Sequence, residues 1–364
     1  MARIPVASVP TLLPKLNLQH SAFFELGSNL YIYDTLRTEI GIAVSASNHD
    51  IKLYEPGSLQ PKGSLKYHSG QLTQIKAQQN KLLSSSLDGQ IAIWDLRQAL
   101  TAPAVAFTAD DPVLSFDMAA DETMLVGGTQ LNSDGSAKIN FWDTRAAGGR
   151  PLKVFEDSHS DDVTQIQCHP SLNRQFLSAS TDGLLCTFDV SQMDEDEALQ
   201  YVANTGASVS RAGYFGPDAQ FIYAQSDMET LQLWTNEATL LADFGDVRDI
   251  RESGVIIDYM IGCRYEPQSQ RLYMLAGTNG GDVHVLHVGA GSLEHIQKLA
   301  SGHSGIVRGF DWDPAQGWAV SGGEDGRLSW WSTETPASQP SSVSASPVAE
   351  GSKKPNGGRR FNPY

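Results

Sequence analysis

Residues 68–95 read HSGQLTQIKAQQNKLLSSSLDGQIAIWD, and residues 303–331 read HSGIVRGFDWDPAQGWAVSGGEDGRLSWW. Each stretch holds alternating apolar segments joined by Asp-Gly and ending on tryptophan. Alternation with a period of two is the signature of a strand with one buried face. Asp-Gly tolerates the positive φ that a tight hairpin turn demands. The polar residues keep the same spacing in both stretches. His68 and His303 open them, Ser84 and Ser321 lie four residues before the turn residues Asp88 and Asp325, and Trp94 and Trp331 lie six after.

Working outward, the same unit recurs. Segments ending on an aromatic or equivalent position are IKLY (51–54), IAIWD (91–95), INFWD (139–143), LLCTFD (184–189), LQLW (231–234), VHVLH (283–287) and LSWW (328–331). That position falls at 54, 94, 142, 188, 234, 286 and 331, close to the period of a WD repeat with loop insertions. A second apolar strand precedes each one. Seven such hairpins predict an all-β fold, a single seven-bladed WD-repeat β-propeller over residues 21–335. Residues 1–20 read as an N-terminal extension. Residues 336–364, rich in Ser, Pro and Gly with a basic end, read as a disordered tail. Because Trp331 is followed almost at once by that tail, residues 22–33 are expected to supply the outer strand of the last blade; an unclosed ring would expose sheet edges.

The fourth repeat carries His159, Ser178 and Asp182 but has Phe188 in place of tryptophan. In such sets the turn Asp accepts from the His ring, His meets the Ser hydroxyl, and Ser meets the indole N–H, which needs a partner when buried. A hydrolase triad is needed once, whereas these sets repeat, and no GxSxG elbow is present. Cys168, Cys186 and Cys263 form no CxxC pair and read as buried thiols. No catalytic residue, metal or cofactor is predicted, and the chain does not read as an enzyme.

The formal net charge is −16, and the tail is itself net positive, so the body is more acidic still. Such a body repels phosphate backbones, so direct nucleic-acid binding is not expected. No apolar run is long enough to span a bilayer. The N-terminus, interrupted by Pro5, Pro10 and Pro14, lacks a secretory stretch. A monomeric propeller in the nucleus and/or cytoplasm is expected. Asp161 and Asp162, with Asp194, Glu195, Asp196 and Glu197, form acidic stretches that suit a basic protein partner, or that serve only as solvated loops. WDLR (94–97) and WDTR (142–145) offer Arg97 and Arg145 either to the adaptor of a cullin-RING ubiquitin ligase or to a neighbouring blade.

The stretch HSDDVTQIQCHPSLNRQFLSASTDGLLCTFDV (159–190) is followed by DEDEAL, DVRDIRES, DYMIG, GTNGGDVHVL and SGGEDGRLSWW. In this order the chain resembles the WD repeat-containing protein 89 family over residues 20–335. The resemblance implies a protein-binding scaffold and brings no catalytic residues. The leading expectation is a scaffold holding a basic client, of the ribosome- or chromatin-assembly type. The alternative is a ligase substrate receptor.

Overall fold

The computed structural model describes residues 13–27, 29–146, 148–250 and 255–333. The tail expected at 336–364 lies outside these residues. Within them the chain forms seven four-stranded antiparallel sheets, here blades 1 to 7 in chain order. Blade 1, for example, runs Ile32–Thr38, Gly41–Ala46, Ile51–Tyr54 and Pro61–Leu65. Blade 7 joins Val307–Asp313, Trp318–Gly323 and Arg327–Ser332 to Asn17–Phe23. The first strand of every blade touches the first strands of both neighbours, so these seven strands ring the centre.

Burial follows from that placement. Second strands are covered on both faces by adjacent blades, and Gly41–Ala46, Met124–Thr129 and Arg271–Gly277 are buried throughout. Fourth strands stand at the rim, and Pro61–Leu65 buries only Leu65. Between blades 3 and 4, Phe141 meets Phe176 at 5.6 Å between ring centroids, and within blade 4 Phe176 stacks on Phe188 at 4.6 Å. A phenylalanine at position 188 therefore fills, by stacking, the place that tryptophan takes in blades 2 and 7.

Six of the first strands share a local device. Their register slips near the start of the strand, between Ile32 and Asp34, Leu72 and Gln74, Val113 and Ser115, Val209 and Arg211, Met260 and Gly262, and Val307 and Gly309. A bulge bends its strand and re-aims the next side chain. Asp34, Gln74 and Arg211, each just past the slip, line the central cavity.

The rim strand of blade 7 corrects the sequence reading in detail. It spans Asn17–Phe23 and overlaps the expected stretch 22–33 only at Ala22 and Phe23. Residues 17–20, assigned above to an extension, are thus part of a blade. The physical reason is that a rim strand needs little apolar content. NLQHSAF buries no residue fully, so hydrophobic patterning does not reveal it.

Candidate functional site

The repeated polar sets assemble across each blade. The His68 ring lies 2.9 Å from Ser84 Oγ through Nε2 and 3.2 Å from the Asp88 carboxylate through Nδ1, and Trp94 Nε1 donates to Ser84 Oγ at 3.3 Å. In blade 7, His303 lies 2.7 Å from Ser321 Oγ and 3.2 Å from Asp325, and Trp331 donates to Ser321 Oγ at 2.9 Å. In blade 4 the chain is shorter: His159 meets Ser178 Oγ at 2.6 Å and Asp182 at 3.1 Å, with no indole. An indole can only donate and a carboxylate only accept, so the run of donors passes from Trp through Ser to a His that carries its proton on Nδ1. These sets brace the Asp-Gly turns. Gly89 sits at φ +78°, and Asp88 also accepts from the Ser69 and Gln90 amides at 2.9 and 3.1 Å. Blade 3 lacks the set. Gly127 stands where Ser84 does, and Trp142 Nε1 is buried with no partner among the described residues.

Arg97 and Arg145 do not reach a neighbouring blade. Each folds back on the Asp two residues earlier. Arg97 donates to Asp95 at 2.9 and 2.8 Å, and Arg145 donates to Asp143 at 2.8 and 2.6 Å. Arg248 repeats the fork on Asp246 at 2.9 and 2.7 Å. Hydrogen bonds from Arg145 hold the Asp143 carboxyl at about 2. Both WDxR side chains stay open to solvent, with 67% and 73% of their surface exposed. Arg145 also borders a cleft of about 310 Å³ with Leu152 and Met193, both exposed.

The acidic stretches are more structured than solvated loops. Asp194 caps a single helical turn, Glu195–Ala198. The Glu195 carboxylate accepts from the Glu156 and Asp157 amides at 2.8 and 3.0 Å and from Ser158 Oγ at 2.5 Å. That clamp joins the blade 4 loop to the linker between blades 3 and 4. It gathers the exposed Glu156, Asp157, Asp194, Asp196 and Glu197 into one ridge. Asp161 and Asp162 follow in the same linker but are partly buried, and Asp162 accepts from the Leu131 amide at 2.7 Å. Glu195 and Asp162 thus serve the backbone. Glu156 and Asp157 escape a reading of the sequence because only the fold brings them beside residues almost forty positions away.

The first strands carry a further constellation that sequence reasoning missed. Gln74 accepts from the Phe116 amide at 3.1 Å, Asp117 from Cys168 at 2.9 Å, Gln167 from Tyr214 at 2.8 Å and Asp311 from Arg37 at 2.7 Å. Arg264 donates to the Phe310 carbonyl at 3.1 Å. Each bond crosses from one blade to the next. The available signal was a polar residue recurring four positions after a buried apolar one: Lys76, Asp117, Gln167, Arg264 and Asp311 follow Leu72, Val113, Val163, Met260 and Val307 at that spacing. The three cysteines are buried and free. Burial pushes the Cys186 and Cys263 thiols up to about 12.

Comparison with known proteins agrees with this architecture. The family described as WD domain, G-beta repeat matches residues 294–332. The chain is 28% identical over 308 residues to the WD repeat-containing protein 89 homolog of Dictyostelium discoideum, covering 83% of this chain and 82% of that protein. It is 30% identical over 324 residues to the WD repeat-containing protein GTS1 of Arabidopsis thaliana, covering 82% and 79% respectively. Seven blades, the braced turns and likeness across most of both chains lead to one conclusion: the chain belongs to the WD repeat-containing protein 89 family of WD-repeat propellers.

Proposed function

We propose that this propeller is a non-enzymatic interaction scaffold of the nucleus and/or cytoplasm that holds a basic protein or peptide, of the kind handled in ribosome or chromatin assembly. The observation that carries this reading is the ridge of exposed carboxylates clamped by Glu195. Like charges held together in water repel, so a basic partner that neutralises them gains favourable electrostatics and a faster approach. The test is affinity purification of the full chain from its own cells, at low and moderate salt. The wild type is expected to recover a basic protein that is shed as salt rises. A variant carrying Glu156→Gln, Asp194→Asn, Asp196→Asn and Glu197→Gln is expected to lose it. Equal recovery by both proteins refutes the reading.

A second reading, a substrate receptor of a cullin-RING ligase, draws support from the exposed Arg145 beside the Leu152 and Met193 cleft. It requires the adaptor to engage guanidinium groups already paired with their own Asp. Loss of a co-purifying adaptor on joint Arg97→Ala and Arg145→Ala substitution would favour it.

A further inference from the structure

The chain is acidic overall, but the centre of the ring is not. A cavity of about 140 Å³ in the channel is lined by Lys76, Arg211, Arg264 and Arg308, and Asp34 is the one carboxylate among its lining residues. Two of these cations are answered from outside the cavity lining. Lys76 lies 3.1 Å from Asp117, and Arg308 binds Glu324 at 2.5 Å. Arg211 and Arg264 remain, facing Asp34. Arg264 spends one N–H on a neutral carbonyl, that of Phe310. Arg211 is exposed, and a Cβ on Gly262 would stand 3.6 Å from its Cδ, so its stem crosses from blade 5 to the first strand of blade 6. Burial raises the Asp34 carboxyl against the pull of Arg211 and Arg264, and the neighbouring Asp311 carboxylate adds to the rise. Neither guanidinium forms an ion pair among the described residues, and Asp34, the carboxylate that feels both, stands in the field of Asp311.

This cavity continues into a hollow of about 640 Å³, and the two share Gln167, Tyr223, Cys263 and Arg264. The hollow lies where the first strands of blades 4, 5 and 6 turn into their second strands. Each of those turns contributes a proline: Pro170, Pro217 and Pro267. Phe215 and Tyr265 line it too, with Asp218 exposed at its edge, and the Tyr265 hydroxyl is buried with no hydrogen-bond partner among the described residues.

We propose that this funnel recognises an extended peptide whose anionic side chain, a carboxylate or a phosphate monoester, reaches Arg211 and Arg264 while flanking apolar residues occupy the mouth. The planar guanidinium fork suits either anion. Carboxylates stand close to these cations and the inner cavity is narrow, which disfavours polyanions such as nucleic acid. A free ion would leave the aromatic and proline surface of the mouth unused, whereas a peptide fills a hollow of this size and can meet both its polar and its apolar lining. The inference goes beyond the acidic-ridge reading, because the contacting group has the opposite charge and lies on the channel.

The full-length chain is immobilised and exposed to three degenerate peptide libraries, fixed at a central phosphoserine, glutamate or serine. Retention of the phosphoserine or glutamate library is expected to exceed that of the serine library about tenfold, as for a charge-assisted hydrogen bond made in a partly dry site. Whichever is retained better identifies the anion. Arg211→Gln is expected to abolish the preference without altering the melting temperature. Asp34→Asn, which keeps an acceptor for the Thr35 amide but removes the competing charge, is expected to strengthen it. Equal retention of all three libraries, or an Arg211→Gln protein that binds as the wild type does, overturns the proposal. Salt-sensitive capture of a basic protein by the Arg211→Gln chain reports separately on the acidic ridge.

Discussion

Asp88 shows how much a single side chain does in a WD turn. Burial alone would raise its pKa, but hydrogen bonds from the His68 ring and the Ser69 amide outweigh that effect and hold the carboxyl at about 2. Asp182 and Asp325 are lowered by the same balance of burial against their histidines and nearby amides. The folded value of Asp88 lies below the value of about 3.9 for an unfolded Asp. Its contribution to stability is therefore complete above about pH 4 and is lost as pH falls toward 2. Melting curves of the wild type and Asp88→Asn between pH 5 and pH 2 check this, with the wild type expected to lose melting temperature more steeply. Parallel curves would remove Asp88 as a source of acid sensitivity. These sets were legible in the sequence because Ser, Asp and Trp fall within ten residues, on one hairpin. The Arg97 and Arg145 pairings were equally local, but spacing alone does not say which of several carboxylates a long side chain will choose.

The first strands must approach closely enough for one blade's side chains to reach the next blade's backbone, and glycine permits this at the join of blades 7 and 1. A Cβ on Gly309 would lie 2.6 Å from the Thr35 nitrogen and 2.8 Å from the Asp34 carbonyl carbon. Backbone atoms cannot turn aside, so Gly309→Ala is expected to part the two strands and cost about 1–3 kcal/mol, as overpacking does. Gly63, on the exposed rim strand of blade 1, has no atom within 4 Å of an added Cβ. Gly63→Ala is expected to stay within about 0.5 kcal/mol of the wild type. Urea unfolding of both variants decides the matter, and equal midpoints would show that the blade junction is more compliant than its geometry indicates. Hairpins were readable from alternation and Asp-Gly turns. The bonds between blades were not, because each joins residues 42 to 51 positions apart, or 274 apart in the case of Arg37 and Asp311.

On the scale of the whole molecule, the two ends of the described chain meet. Asn17–Phe23 pairs with Arg327–Ser332, and Ser21 Oγ lies 2.9 Å from Ser329 Oγ. Removing residues 1–23 leaves Arg327–Ser332 as an open edge, with unpaired backbone groups that template association. The truncated protein is expected to melt at lower temperature and to form oligomers that grow with concentration. A truncated monomer with unchanged melting would show that blade 7 stands on three strands.

The sequence by itself determined the seven-fold repeat, the all-β propeller, and the His, Ser, Asp and Trp sets, because each is written within a single repeat whose periodicity and turn chemistry are local. Tertiary structure alone decided where the rim strand of blade 7 begins, since a half-exposed strand needs no apolar pattern. It also decided which carboxylates form a ridge and which merely hold backbone. And it decided that an acidic chain keeps arginines at its centre: net charge is a sum over residues, whereas the field inside a channel depends on which of them the closing ring turns inward.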